Sequence, residues 1–165
     1  VLGTLEILRE RCAIAIHDDI IRKALAALHC PARIEVVAKK PFIILDFAHT
    51  ADSMRFLKKT LAENFTFRKF ILVLGLSQDK DLDNILKEII MSADTILVTR
   101  SKNPRAASPE DLYQRIERLC GKWAEKVDNV RDAVITAKHM ALKDDLICIT
   151  VSAYVAGEAR EALGV

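Results

Sequence analysis

Residues 42–61 read FIILDFAHTADSMRFLKKTL and join three elements. The apolar run Phe42–Leu45 predicts a buried strand, and Pro41 before it favours an extended entry. The residues after the junction predict a helix over about 51–64, because their apolar positions repeat on one helical face. Those positions are Met54, Leu57 and Leu61. The segment therefore predicts a strand, a sharp polar junction and a helix in that order.

Three polar side chains lie in the junction between this strand and helix, namely Asp46, His49 and Thr50. In open α/β sheets, ligands bind outside the carboxyl ends of the strands, where such junctions lie. The first turn of the following helix also presents unpaired N–H groups. An acid, an imidazole and a hydroxyl at that place predict a site for a polar or anionic ligand.

The rest of the chain alternates short apolar strands with amphipathic helices. The predicted strands are Ile34–Val37, Phe42–Leu45, Phe70–Leu74, Thr95–Val98, Lys126–Asp128 and Leu146–Val151. The predicted helices are 1–28 with an interruption near His17–Asp18, 51–64, 82–91, 109–120 capped by Ser108 and stopped by Gly121, 130–143 and 154–163. This alternation predicts an α/β fold with a mainly parallel, Rossmann-like sheet of about six strands. Helices cover both faces, at least four strands are parallel, and residues 34–37 form an edge.

Composition restricts the class of protein. The 165 residues carry a net charge of only +2, which argues against a nucleic-acid binder. No apolar run approaches the roughly 20 residues that span a bilayer, and no secretory leader is present, so we expect no membrane association. Four scattered cysteines without a C-x-x-C pair favour a reduced, cytoplasmic protein. The start at Val1, without methionine, leads us to expect a fragment.

Four strand ends or their approaches carry polar groups that the predicted sheet brings to one edge. They are Asp46/His49/Thr50, Ser77/Asp79/Lys80, the loop 99–105, and Ser152. A cation, a carboxylate, an imidazole and hydroxyls at one edge suit a zwitterion such as an amino acid, or part of a nucleotide.

Each of these side chains also has a purely structural interpretation. Asp46 and Ser152 could cap the helices that follow them. His49 could be a surface or hydrogen-bonded histidine, and Lys80 and Arg33 could be solvated residues. Their common position at one edge is what favours a site.

Several catalytic fingerprints are absent from the sequence. It has no G-x-x-x-x-G-K-[ST] loop and no G-x-G-x-x-G after a strand. The histidines and cysteines do not fall at zinc spacings, and no G-x-S-x-G elbow is present. We therefore expect no metal site in this chain, and no ATP hydrolysis or hydride transfer by the chain alone.

Five short segments resemble motifs of folylpolyglutamate and dihydrofolate synthases. They read PARIE (31–35), LDFAHT (45–50), LGLSQDKD (74–81), NPRA (103–106) and SAYVAGE (152–158). The corresponding family patterns include P-G-R-x-E, L-D-G-A-H-N, a loop ending in D-K-D, and S-L-Y-x-x-G-E. The segments follow the family order over about residues 30–162. The chain thus resembles the C-terminal domain of this branch of the Mur ligase superfamily.

The resemblance implies an ATP-dependent ligase that joins glutamate to folate or dihydropteroate through an acyl phosphate. ATP and Mg²⁺ would be the cofactors, with magnesium held mainly by an N-terminal P-loop ATPase domain that this sequence lacks. Residues 1–30 would be a helical remnant of the preceding domain with its linker, and 31–165 the C-terminal domain. That ATPase domain, glutamate and folate or dihydropteroate are the expected partners.

The resemblance also implies roles for individual residues. Arg33 and Asp46 would contact the nucleotide. His49, Thr50, Lys80 and Ser152 would surround the incoming glutamate, with His49 and Lys80 as the catalytic residues.

The sequence departs from the family pattern at four positions. Phe47, Ala32 and Val151 replace glycines, and Thr50 replaces an asparagine. Replacing glycine by Phe47 removes backbone freedom at a site-forming turn. The departures leave room for a divergent substrate or an impaired enzyme. Two alternatives stay open, namely another Mur-type amino-acid ligase and a stand-alone ligand-binding module without turnover.

Overall fold

The computed structural model describes residues 2–12, 17–28, 30–150 and 152–165. The chain divides into two compact units, Val1–Cys30 and Pro31–Val165. The first contains helices α1 (Leu2–Cys12) and α2 (Asp18–Ala26). His17 is not helical and occupies the N-cap position of α2, in agreement with the predicted interruption near His17–Asp18, and residues 13–16 of the predicted helix lie outside the described residues. The assignment of this unit to a preceding domain stays a prediction. Within the described ranges, no helix is both long and apolar enough to cross a bilayer.

The second unit is built on a six-stranded sheet in the order β1-β2-β6-β3-β4-β5. The strands are β1 (Glu35–Lys39), β2 (Phe42–Leu45), β3 (Phe70–Leu74), β4 (Thr95–Val98), β5 (Glu125–Lys126) and β6 (Leu146–Thr150). Strands β2 to β6 pair in parallel, and β1 lies antiparallel at one edge. The predicted sheet type, strand number and edge are therefore confirmed.

Two strands have bounds that differ from the prediction. The first strand begins at Glu35, because Ile34 has a φ of 48° and cannot continue an extended strand, and it ends at Lys39 instead of Val37. The fifth strand covers Glu125–Lys126, one residue earlier than predicted and shorter. Val151 is the predicted end of the last strand and one of the residues that replace a glycine of the family pattern, and it lies outside the described residues.

Five helices complete this unit and begin or end at identifiable caps. They are α3 (Ala51–Asn64), α4 (Leu82–Ile89) with a following 3₁₀ turn (Ile90–Ser92), α5 (Pro109–Cys120), α6 (Val130–Met140) and α7 (Ala153–Leu163). Ser108 caps α5 through the N–H of Asp111, and Gly121 ends it with a φ of 66°, as predicted.

The sheet has a separate apolar core on each face. Along β6, Leu146 and Cys148 face one core, and Ile147 and Ile149 face the other. The first core takes residues from α3, α4 and α5, and the second takes residues from α6 and α7. Because both faces are covered, the central strands β3 and β6 are buried at every position and are apolar except for Thr150 at the end of β6. Burial raises the pKa of the Cys148 thiol, which packs as a small hydrophobic group.

Gly75, directly after β3, allows a close approach between three elements. A Cβ at this position would lie 2.7 Å from Cγ2 of Val155 in α7 and 3.0 Å from the backbone oxygen of Thr99 after β4. Both distances are shorter than ordinary contacts, and one neighbour is backbone. Gly75 therefore sets how closely α7 packs over the carboxyl ends of β3 and β4.

We expect Gly75→Ala to lower the free energy of unfolding by about 1–3 kcal/mol, because the methyl group overpacks this contact. Gly157→Ala is the matched control. Gly157 lies on the exposed side of α7, and a Cβ there meets no atom within 4 Å. Alanine should stabilise this helix by up to about 1 kcal/mol. Urea unfolding of both variants checks the opposite signs, and equal stability of the two would contradict the close approach.

Candidate functional site

The junction after β2 starts α3 with a reciprocal cap. The backbone N–H of Ser53 donates to Oγ1 of Thr50 (3.2 Å), and the N–H of Thr50 donates to Oγ of Ser53 (3.0 Å). This capping box satisfies two N–H groups at the helix start. The cap of α3 is therefore Thr50, and the structural interpretation of Asp46 as the cap is wrong.

Asp46 is buried, with 4% of its surface exposed, and it joins the junction to the linker before β1. Its Oδ1 accepts the N–H of Ala48 (2.6 Å), and its Oδ2 accepts the N–H of Ile34 (2.9 Å). Burial raises the pKa of Asp46, and the two N–H donors and the charge of Arg33 only partly oppose this. In this arrangement the carboxylate fixes backbone and presents little surface to a ligand.

His49 is exposed at the same junction. Its Nδ1 lies 3.0 Å from the backbone oxygen of Phe47. A carbonyl oxygen only accepts, so in this bond Nδ1 carries the proton. In the neutral ring, Nε2 then keeps a free lone pair that can accept a hydrogen bond from an ammonium group. The structural interpretation of His49 as a hydrogen-bonded surface residue and the predicted site role are compatible.

Phe47 contacts the side chain of Arg33. The guanidinium carbon of Arg33 lies 3.7 Å from the centroid of the Phe47 ring, a cation–π distance. The rings of Phe47 and His49 are nearly parallel, at 11°, with centroids 6.4 Å apart. In the sequence, Phe47 was noted only because it replaces a glycine of the family pattern. An aromatic residue inside a polar junction was the signal that could have identified it as part of the site.

Lys80 lies on the loop after β3 and pairs with its neighbour Asp79. Their charged atoms are 2.9 Å apart, with 38% and 43% of the side chains exposed. The hydrogen bond from Lys80 lowers the pKa of Asp79, and Arg105 contributes to the same effect. The N–H of Gln78 also donates to the backbone oxygen of Arg105 (2.8 Å), so the loops after β3 and β4 are joined.

Ser152 is buried at the start of α7 and caps it. Its Oγ accepts the N–H of Tyr154 (3.2 Å), which confirms the structural interpretation of this residue. The hydroxyl proton of Ser152 is not used in this bond. A serine that accepts a helix N–H can still donate to a carboxylate placed before the helix.

The carboxyl ends of the parallel strands β2 to β6 all lie on one side of the sheet. All the predicted site residues lie at or beside this carboxyl-terminal edge. Arg33, Asp46, Phe47 and His49 form one connected group. No hydrogen bond or ion pair between described residues joins that group to Lys80. Nor do three potential metal ligands meet anywhere in the described part of the chain.

Comparison with known proteins gives consistent matches. The model of the family "Mur ligase, glutamate ligase domain" matches residues 32–153. The dihydrofolate synthase/folylpolyglutamate synthase of Mycobacterium tuberculosis is 33% identical over 160 residues, covering 88% of this chain and 33% of that protein. This chain therefore spans about a third of the length of that curated relative.

Solved structures give the same relationship. Folylpolyglutamate synthase of M. tuberculosis, complexed with ADP and AMPPCP, superposes with a TM-score of 0.87 at 29% identity, over 98% of this chain and 38% of that one. A bifunctional folylpolyglutamate synthase/dihydrofolate synthase with Mn, AMPPNP and L-glutamate bound superposes with a TM-score of 0.79 at 26% identity, over 92% and 36%.

Proposed function

The chain belongs to the family of Mur ligase glutamate ligase domains, and from this premise we propose that it is the C-terminal domain of an ATP-dependent ligase that adds glutamate to folate or dihydropteroate. The single observation that carries the proposal is the similarity over 98% of the chain to a folylpolyglutamate synthase complexed with ADP and AMPPCP. In this proposal, the ATP-dependent addition of glutamate also requires a P-loop ATPase domain as a partner. The free cysteines support a reducing, cytoplasmic location.

In this proposal, the glutamate-binding groups are His49, Thr50, Lys80 and Ser152. Nε2 of His49 accepts a hydrogen bond from the glutamate amine and positions it for attack on the activated carboxylate. Lys80 exchanges its surface pair with Asp79 for a glutamate carboxylate, an exchange that costs little because such pairs contribute about 0–1 kcal/mol. The hydroxyls of Thr50 and Ser152 donate to the carboxylates.

In the same proposal, the nucleotide binds beside the linker that precedes β1, where Arg33 and Asp46 lie. The exposed guanidinium of Arg33 suits phosphate oxygens, since it presents several donors in one plane. Asp46 serves the nucleotide through the backbone of the linker that it holds. The described residues offer no ligand set for Mg²⁺, so we propose that the ATPase domain holds the magnesium that neutralises the phosphates.

The test uses the full-length gene product and the 165-residue chain side by side. Each is incubated with ATP, Mg²⁺, L-glutamate and dihydropteroate, and phosphate release and the glutamylated product are measured. We expect turnover that depends on both glutamate and dihydropteroate from the full-length protein, and none from the chain alone. Turnover only with another amino acid would favour a different Mur-type ligase. Nucleotide or glutamate binding without turnover would favour a binding module.

A further inference from the structure

The linker that carries Arg33 has an unusual backbone on both sides of that residue. Ala32 has a φ of 54°, and Ile34 has a φ of 48°. The left-handed region is uncommon for non-glycine residues and a clear outlier for β-branched side chains. Such conformations persist only where the surroundings determine them. The linker is therefore held in one specific shape.

Three side chains hold that shape. Oδ2 of Asp46 accepts the N–H of Ile34 (2.9 Å), and Oε2 of Glu35 accepts the N–H of Ala32 (2.8 Å). Arg160 in α7 pairs in turn with Glu35. The backbone before and after Arg33 is thus tied to the sheet and to α7. These contacts do not hold the side chain of Arg33 itself.

Phe47 provides that contact. Its ring is partly buried against the second core and lies 3.7 Å from the guanidinium carbon of Arg33. The position of Phe47 is itself fixed, because the adjacent Asp46 accepts two backbone N–H groups. The ring is therefore a stable surface against which an exposed arginine side chain loses part of its conformational freedom before any ligand binds.

We propose that Phe47 is a positioning residue for nucleotide binding, which holds the guanidinium of Arg33 where the phosphates of ATP are met. The inference rests on the proposed function and deepens it. A free arginine loses rotamer entropy on binding phosphate, and a guanidinium already stacked on a ring loses less. Phe47 stands where the family pattern has a glycine, and its ring thus adds a support for the linker arginine.

The test compares Phe47→Leu, Phe47→Tyr and Arg33→Ala in the full-length ligase. We expect Phe47→Leu to raise the KM for ATP roughly 2- to 30-fold, the range of a cation–π contact, while kcat and the KM for glutamate change less than about 2-fold. Phe47→Tyr keeps a ring and should restore the wild-type KM. In an Arg33→Ala background, Phe47→Leu should have no further effect, since the pair acts as a unit.

The control is Phe56→Leu, which removes a ring on α3 that is 70% exposed, and it should leave all constants unchanged. An unchanged KM for ATP in Phe47→Leu, or an equal effect in the Arg33→Ala background, would overturn the positioning role alone. If the wild-type protein shows no glutamate-dependent turnover, the proposed function fails instead, and the positioning role fails with it.

A second readout is independent of activity. In the 165-residue chain, the ring current of Phe47 should shift the Cδ protons of Arg33 upfield, and Phe47→Leu should remove the shift while Phe56→Leu leaves it. Arg33 protons at ordinary positions in the unaltered chain would overturn the stacked arrangement and the proposal together.

Discussion

Replacing Asp145 by alanine is expected to lower the free energy of unfolding by about 3 kcal/mol, the scale of breaking a buried charged pair. Asp145 is fully buried at the start of β6. Its Oδ2 accepts the N–H of Leu142 (2.7 Å) and a donor of Arg68 (3.0 Å). We take the lower end of the range for such pairs, because Arg68 is half exposed and water can solvate it after the substitution.

The position of Asp145 explains why its loss affects the whole sheet. Its backbone oxygen accepts the N–H of Phe42 at the start of β2 (3.0 Å), and the following residue, Leu146, bonds to Lys69 before β3 (2.9 Å). The carboxylate therefore fixes the turn at which three parallel strands begin. This is the sheet edge opposite the candidate site, so the effect should be on stability and not on ligand binding.

Asp145 also predicts a loss of stability in acid. Burial raises the pKa of Asp145, but the hydrogen bonds from Leu142 and Arg68 outweigh burial and hold the pKa below its ordinary value of 3.8. The unfolded chain therefore binds the proton first as the pH falls. The stability that the ionised carboxylate contributes is complete above pH 3.8, and it is lost as the pH falls through the lower pKa of Asp145 in the folded protein. Asp145→Asn should remove this part of the pH dependence.

The neighbouring Asp144→Ala is the control. Asp144 is exposed, and only its backbone oxygen is used, by the N–H of Arg68 (2.8 Å). We expect a change within about 0.5 kcal/mol for this variant. Urea unfolding at pH 7 and across the acid range measures both effects. Equal stability of the Asp145 and Asp144 variants would show that the buried carboxylate contributes nothing.

The sheet was predictable because burial on both faces leaves a simple signal in the sequence. Phe70–Leu74 is apolar at every position and Leu146–Ile149 is apolar up to the buried Thr150, a pattern that neither an exposed strand nor a one-sided helix shows. The helix ends were equally readable where a capping residue marks them, as Ser108 and Gly121 do for α5.

The linker was not predictable in the same way. Ile34 has a β-branched side chain, which favours strands, and the sequence placed it in one. In the structure its N–H bonds to Asp46, twelve residues later, and this contact overrides the local preference. Asp46 does not cap α3, because the helix begins at Ala51 and Thr50, directly before it, accepts the N–H of Ser53. A prediction from local sequence preference does not include a hydrogen bond to a residue that far along the chain.

The candidate site was predictable in place but not in its connections. Parallel strands brought Asp46, Lys80 and Ser152 to the same edge, as the rule for α/β sheets requires. Which side chains touch depends on loop geometry, and that geometry joined Phe47 to Arg33 and Lys80 to Asp79. The roles given to these residues remain proposals, and Lys80 offers the sharpest test among them.

Lys80→Ala in the full-length ligase is expected to reduce kcat/KM for glutamate roughly 10- to 150-fold, because a hydrogen bond between charged groups contributes about 1.5–3 kcal/mol. The ammonium of Lys80 lies on a loop at the carboxyl edge of the sheet, 2.9 Å from Asp79 and more than a third exposed. A glutamate carboxylate can therefore replace Asp79 as its partner. The KM for ATP should change little, whereas Arg33→Ala should raise the KM for ATP and spare glutamate. Steady-state kinetics with the two substrates varied separately measures this contrast.

Two further variants decide whether the effect belongs to the ammonium of Lys80 or to its ion pair with Asp79. Lys143→Ala removes an exposed lysine beyond α6, at the opposite end of the sheet, and should change neither constant. Asp79→Asn removes the competing partner, so it should leave kcat/KM for glutamate unchanged or slightly raised. If Lys80→Ala behaved like Lys143→Ala, Lys80 would be a surface lysine paired with Asp79 and nothing more. If Asp79→Asn were as damaging as Lys80→Ala, the ion pair itself would be the functional element, since it would then fix the loop between β3 and α4.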